Sequence, residues 1–377
     1  MDSVQPSYSS IEFWTDASEP LNINLSDTIS VDIDKGTAGI QRIYTGTISD
    51  VGISLDAYGA IGSVARYSIT AVDALALLNK KVVGIAGYPA DLDGVRILKI
   101  LTDAFTAEWQ DVSPFETWIQ VPNTVTWASY DGVNLALLNA LPASIDTGQF
   151  NLSAYAAAET NALSLAQEAA QSGRGTLSAT NQGGITYDDS VARLAFTELT
   201  LTANDLLAAG LTTAAQWAEI VNDVEVTYTG GKAVARDLDS IILYGQMSGS
   251  RATTLSQLSQ ANLQAGQFLT SRSYPRTYPD TLTIPLHSPT VLDATRDTLA
   301  NVYIGLPVNT SALPAVFGTN FEGYVEGFNW QITKYTAFLT LVCSSRAETY
   351  PSPVWLQIPL TTTWASYTPA TTEWIDL

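Results

Sequence analysis

Between residues 28 and 73 the chain alternates apolar and polar residues with the period of two that a half-buried strand requires. The clearest stretches are Arg42-Ile43-Tyr44-Thr45-Gly46-Thr47-Ile48-Ser49-Asp50, rich in β-branched and aromatic types, and Tyr67-Ser68-Ile69-Thr70-Ala71-Val72. Near Asp91 the period lengthens. Val95, Ile97, Leu98, Ile100, Leu101 and Phe105 recur at helical spacing and predict a first helix. A second helix is expected over 154–172, with Ser153 as its N-cap and Gly173 closing it. Asn181-Gln182-Gly183-Gly184 reads as a hairpin turn with Ile185-Thr186-Tyr187 returning from it.

Strand patterning resumes near residue 222. Val224, Val226 and Tyr228 alternate with polar residues up to the turn Thr229-Gly230-Gly231, and Ser240-Ile241-Ile242-Leu243-Tyr244 reads as a further strand. A third helix is expected over about 255–271. The last hundred residues again read as strands, most visibly 324–343. There Tyr324, Phe328, Trp330, Ile332 and Phe338 fall on one face, and Val325, Tyr335, Leu339 and Leu341 on the other. A strand apolar on both faces must be covered on both sides. Leu339 and Leu341 are therefore candidate interface residues.

Composition narrows the function classes. A chain of 377 residues with 46% apolar content holds two or three packed domains. Only 14% of residues are charged, yet the net charge is −20, so the chain is poor in Lys and Arg rather than crowded with acids. Between Lys99 and Arg174 no basic residue occurs. That argues against a nucleic-acid-binding surface or an anionic-membrane partner. The N-terminus has no basic segment followed by an apolar core, and no apolar run approaches the roughly 18 residues of a membrane helix. The expectation is a soluble protein made in the cytoplasm.

Catalytic chemistry finds little to work with. His287 is the single histidine and Cys343 the single cysteine, so no zinc site of His/Cys type can be assembled in one chain. His287 lies at a strand end, and no G-x-S-x-G elbow occurs to give it a nucleophile. Glu322 and Glu326, four apart on one strand, would lie about 13 Å apart at roughly 3.3 Å per residue. Glycosidase carboxyls need about 5 to 9.5 Å. Asp91-Leu92-Asp93-Gly94 and Asp32-Ile33-Asp34 lack the spacing of a calcium loop. Gly230-Gly231-Lys232-Ala233 lacks the first Gly and the final Ser/Thr of a phosphate loop. No catalytic residue, cofactor or metal site is expected.

A set of phrases in fixed order carries the positive signal. Ile43-Tyr44-Thr45-Gly46-Thr47-Ile48-Ser49-Asp50 is followed by Ser68 to Asn79, then by Val221 to Tyr228 and Asp239 to Gly245. Near the end stands Glu322-Gly323-Tyr324-Val325-Glu326-Gly327-Phe328-Asn329-Trp330-Gln331-Ile332. From about residue 40 onward this order resembles the minor tail proteins of long-tailed phages, especially of actinobacteria, that build the tail-tip hub. The resemblance implies a fold like the central baseplate hub of contractile-tailed phages. It further implies a homotrimer in the virion, with three chains forming a pseudo-sixfold ring.

The expected fold is thus α+β, mainly antiparallel β, with two tube-like β-barrels and a helix-containing insertion. The first barrel would span 1–80 and 222–250, the insertion 81–221 and the second barrel 251–377. The implied partners are a distal tail or tail-tube protein, other tail-tip proteins, the tape-measure protein, and DNA in transit without specific binding. Asp50, Asp56, Glu322 and Glu326 are candidate channel-lining residues, because an acidic wall lets DNA pass without adhering. Two other classes fit less well. A receptor- or glycan-binding tail protein would use the 9 Trp and 17 Tyr, but these are scattered along the chain. A cell-wall hydrolase is opposed by the missing histidines and the carboxylate geometry.

Overall fold

The computed structural model describes residues 4–18, 21–36, 39–57, 63–106, 144–191, 199–207, 211–213, 219–275 and 279–345. Residues 107–143 of the expected insertion and 346–377 of the expected second barrel lie outside them. The chain divides into two compact units, each assembled from several segments.

The first unit takes Met1–Thr197, Thr253–Ser256 and Leu286–Leu306. Its four-stranded antiparallel sheet runs in the order β1 (Tyr8–Asp16), β4 (Val64–Val72), β3 (Ile40–Ala57), β2 (Thr28–Asp34). Alternation along β4 explains its central place, since Ala65, Tyr67, Ile69 and Ala71 are all buried on one face. Helix α1 (Ala74–Leu78) follows, its N-cap Asp73 accepting from Ala76 N.

Four two-residue strands then tie the insertion together: β5 (Val82–Val83) with β8 (Thr160–Asn161), and β6 (Asp91–Leu92) with β7 (Asn151–Leu152). Helix α2 (Asp93–Thr106) buries Ile97, Ile100, Leu101 and Ala104 and packs against α3 (Ala162–Gly173). A hairpin of β9 (Thr176–Ala179) and β10 (Ile185–Asp188) closes around Gly183, whose φ of 89° suits the turn. The second helix is shorter than its composition predicts. Tyr155 exchanges backbone hydrogen bonds with Tyr88 (2.9 and 3.0 Å), and Ala158 N donates to Gly84 O at 3.0 Å. Strand pairing therefore holds 154–161 out of the helix, and Asn161, not Ser153, caps it by accepting from Ser164 N.

At the centre of the insertion Asp93 is fully buried. Its carboxylate accepts from Tyr187 Oη and from Phe150 N, the latter at 2.8 Å. Gly148 and Gly173 crowd the same group so closely that a Cβ at either would overlap it. Burial pushes the Asp93 carboxyl up to about 6 despite those two donors.

The second unit takes Glu198–Ala252, Gln257–Pro285 and Pro307–Leu377. Residues 222–250 therefore cluster here and not with 1–80, unlike the division expected from the sequence. A six-stranded sheet runs β11 (Leu199–Thr202), β17 (Pro307–Ser311), β18 (Phe321–Ile332), β19 (Ala337–Ser345), β16 (Pro279–Pro285), β12 (Thr212–Thr213). Beside it in sequence lies a three-stranded sheet, with β13 (Asp223–Tyr228) between β14 (Gly231–Arg236) and β15 (Ser248–Ala252). Residues 238–244 form helix α4 rather than the expected strand, with Asp237 accepting from Ser240 N as N-cap. Helix α5 (Leu258–Arg272) packs on β13 and β14, and helix α6 (Asp293–Leu299) belongs to the first unit.

Among the described residues the sheets are open, mostly antiparallel, and accompanied by helices. Two closed barrels within one chain are not seen there. No described helix is long and apolar enough to cross a membrane.

Candidate assembly surfaces

Register fixes two unlike faces on the four-stranded sheet. Ile11, Phe13 and Thr15 of β1 stand opposite Ile69, Tyr67 and Ala65 of β4, which in turn face Val51, Ile53 and Leu55 of β3. That face is apolar, with the Phe13 and Tyr67 rings stacked at 5.4 Å. The other face carries Ser10, Glu12, Trp14 and Asp16 from β1 and Arg66, Ser68 and Thr70 from β4. From β3 it receives Asp50, opposite Thr70, and Ser54, opposite Arg66.

Asp56 occupies a bulge between Leu55 and Ala57. Its carboxylate accepts from Trp14 Nε1 at 2.7 Å and lies 3.9 Å from the Arg66 guanidinium, which places it on the polar face. Asp50 accepts from Ser49 Oγ at 2.8 Å. The structure thus brings Asp50 and Asp56 to one face, together with Glu12 and Asp16. Sequence reasoning missed those two acids and the Trp14 contact, although the period-two pattern Tyr8-Ser10-Glu12-Trp14-Asp16 was there to be read.

The outer strands of this sheet are β1 and β2. β1 is nine residues long and contains no Pro or Lys, and its charged residues are the acids Glu12 and Asp16. Among the described residues nothing pairs with its outer side.

Glu322, Glu326, Leu339 and Leu341 belong to the second unit. The expected strand 324–343 is a hairpin of β18 and β19 turning at Thr333–Thr336. A bulge between Val325 and Gly327 shifts the alternation by one residue. Val325, Phe328, Trp330, Leu339, Leu341 and Cys343 consequently share one face, beside Leu282 and Ile284 of β16. The apparent two-sidedness came from reading across a bulge and a turn. Leu339 and Leu341 are fully buried inside the protomer, so they present no surface to a partner. Glu322 is exposed opposite Asn309, and Glu326 accepts from Ser344 Oγ at 2.6 Å.

Among the described residues the reactive side chains form no centre. Burial, with Glu326 nearby, pushes the Cys343 thiol up to about 12, which leaves it protonated and inert. His287 lies in the first unit and Cys343 in the second. Among the described residues no group of three or more His, Cys, Asp or Glu could hold a metal ion.

No protein-family model matches the sequence. No curated protein matches it either. Among solved structures the chain is similar to the 43 kDa tail protein of prophage MuSo2 from Shewanella oneidensis. The TM-score is 0.57 at 12% identity, over 92% of this chain and 91% of that one. It is also similar to a tail protein from Neisseria meningitidis MC58, with a TM-score of 0.50 at 13% identity over 91% and 93%. At such identities the likeness is one of fold, and it extends over nine-tenths of the length on both sides: the chain has the fold of these two tail proteins.

Proposed function

We propose that the chain is a structural protein of a phage tail, and that three copies form the hub at the tail's distal end. In this reading it joins the tail tube to the tail-tip proteins. It lines the passage taken by the tape-measure protein and then by DNA, and it has no catalytic role. The observation that carries the reading is the likeness of fold to two tail proteins along almost the whole chain. The open sheets among the described residues support it. A four-stranded sheet with one apolar face, one acidic face and, among the described residues, an unpaired nine-residue edge strand suits a wall segment that neighbouring copies complete.

Light scattering on the purified full chain tests the number three. A trimer is expected at micromolar concentration, and a monomer throughout that range would overturn the hub. Cryo-electron microscopy of intact virions tests the position, with density for the fold at the distal end of the tube as the expected result. A zymogram on peptidoglycan tests the architectural role; clearing that disappears with a single carboxylate substitution would refute it.

A further inference from the structure

Helix α4 is built inside out. The residue it buries is polar. Ser240 Oγ donates to Ser273 O and accepts from Asn222 Nδ2 at 3.1 Å. Its large apolar side chains point to solvent instead, with Leu238 68%, Ile242 79% and Leu243 66% exposed. Short surface helices normally do the reverse, and a contiguous exposed apolar face marks a contact surface. Exposed Asp239 stands between Ile242 and Leu243 on that side, and half-buried Asp237 caps the helix beneath Leu238.

Charge selects the occupant. Two copies meeting through α4 itself would bring four aspartates together, which argues against a twofold contact. On a chain of net charge −20 most of the remaining surface repels an acidic helix. Among the described residues, a basic place with exposed apolar side chains beside it lies in the first unit, at β5. There exposed Lys80 and half-buried Lys81 precede Val82 and Ile85, which are 55% and 71% exposed. Of the six lysines in the chain, these two are the only adjacent pair.

We propose that α4 of one copy docks on the β5 surface of a second copy, its leucines and isoleucine against Val82 and Ile85 and its aspartates beside Lys80 and Lys81. The two surfaces differ, so the contact is head-to-tail, the kind that closes into a ring when the rotation allows. This inference rests on the trimeric reading and names the surface that would hold the trimer together.

The test is the assembly state of the full chain by light scattering, with circular dichroism as the control for folding. The wild type is expected to assemble. Ile242→Glu is expected to remain folded, because the side chain is exposed, and to weaken association more than about tenfold. Should that variant melt early, Asp239→Lys, also at an exposed position, serves in its place. Lys80→Glu is expected to weaken association, and combining it with Asp239→Lys to restore it. A wild type that assembles while folded Ile242→Glu assembles equally well overturns this contact and leaves the trimer standing. Lys80→Glu without effect overturns the β5 surface as the seat of α4. A wild type that stays monomeric overturns the trimer and this contact together.

Discussion

The decisive residue of the first unit is Asp93, a fully buried carboxylate that two glycines crowd and a phenol caps. Its carboxyl titrates near 6 in the folded chain, whereas an unfolded aspartate titrates near 3.8. Between those values the folded state binds the proton more tightly than the unfolded one. Stability contributed by this group is thus greatest below about pH 4 and lost as pH rises through 6, a change of about 3 kcal/mol. Thermal melts of the wild type and Asp93→Asn across pH 4 to 7 read it as a difference. The wild type is expected to lose melting temperature relative to Asp93→Asn as pH rises; parallel curves would show that the carboxyl titrates normally. Gly148→Ala is expected to cost about 3 kcal/mol, because φ of 87° strains alanine and the added methyl overlaps Asp93. Chemical denaturation at neutral pH measures that loss. Nothing in the local sequence marks this knot. Asp91-Leu92-Asp93-Gly94 reads as an ordinary helix start, and the glycines that enclose it lie about 55 and 80 residues downstream.

At the scale of elements, period alone was sufficient where one face is buried and the strand is regular. β4 and β13 fall where alternation puts them, and α2 follows its helical spacing. It failed in two informative places. Ser240-Ile241-Ile242-Leu243-Tyr244 is β-branched and apolar, so it reads as a strand, but the cap at Asp237 and the bonds of Ser240 make it a helix. In 324–343 one bulge residue, Glu326, moved half the apolar set to the other face. The corrected register changes what a substitution should do. Leu341→Asp would bury a charge beside Leu282 and Phe328 within the protomer. The expected outcome is loss of the folded protomer, at a cost of about 4 kcal/mol or more, rather than release of folded monomers. Circular dichroism and light scattering on one sample separate the two, and well-folded monomers would return Leu341 to an interface. Ser240→Ala, by removing two buried hydrogen bonds under α4, is expected to lower stability by about 1 to 2 kcal/mol in urea unfolding.

For the whole molecule, the open question about charge is where it sits. A net charge of −20 per chain, and −60 on three, keeps copies soluble wherever the acids lie. A role in passing DNA is more demanding. At physiological salt the screening length is about 8 Å, so only acids on or close to a lumen act on duplex passing through it. The polar face of the four-stranded sheet meets that condition in composition, with Glu12, Asp16, Asp32, Asp34, Asp50 and Asp56 against Arg42 and Arg66. If it faces the passage, reversing charge there should create adhesion where none is needed. Asp56 is a poor place to try, being bonded to Trp14, whereas Glu12 and Asp50 can be replaced without breaking that contact. Glu12→Lys with Asp50→Lys would set six lysines around a ring of three chains. Each phosphate they neutralise adds about −0.9 to the slope of log affinity against log salt. Fluorescence anisotropy with a labelled duplex should therefore show no retention by the wild type at 50 mM salt. The double variant should bind at 50 mM and lose that binding by 200 mM. A wild type that already holds duplex, or a double variant that folds and assembles yet acquires no salt-dependent affinity, would place this face away from the DNA and leave its acids to solubility alone.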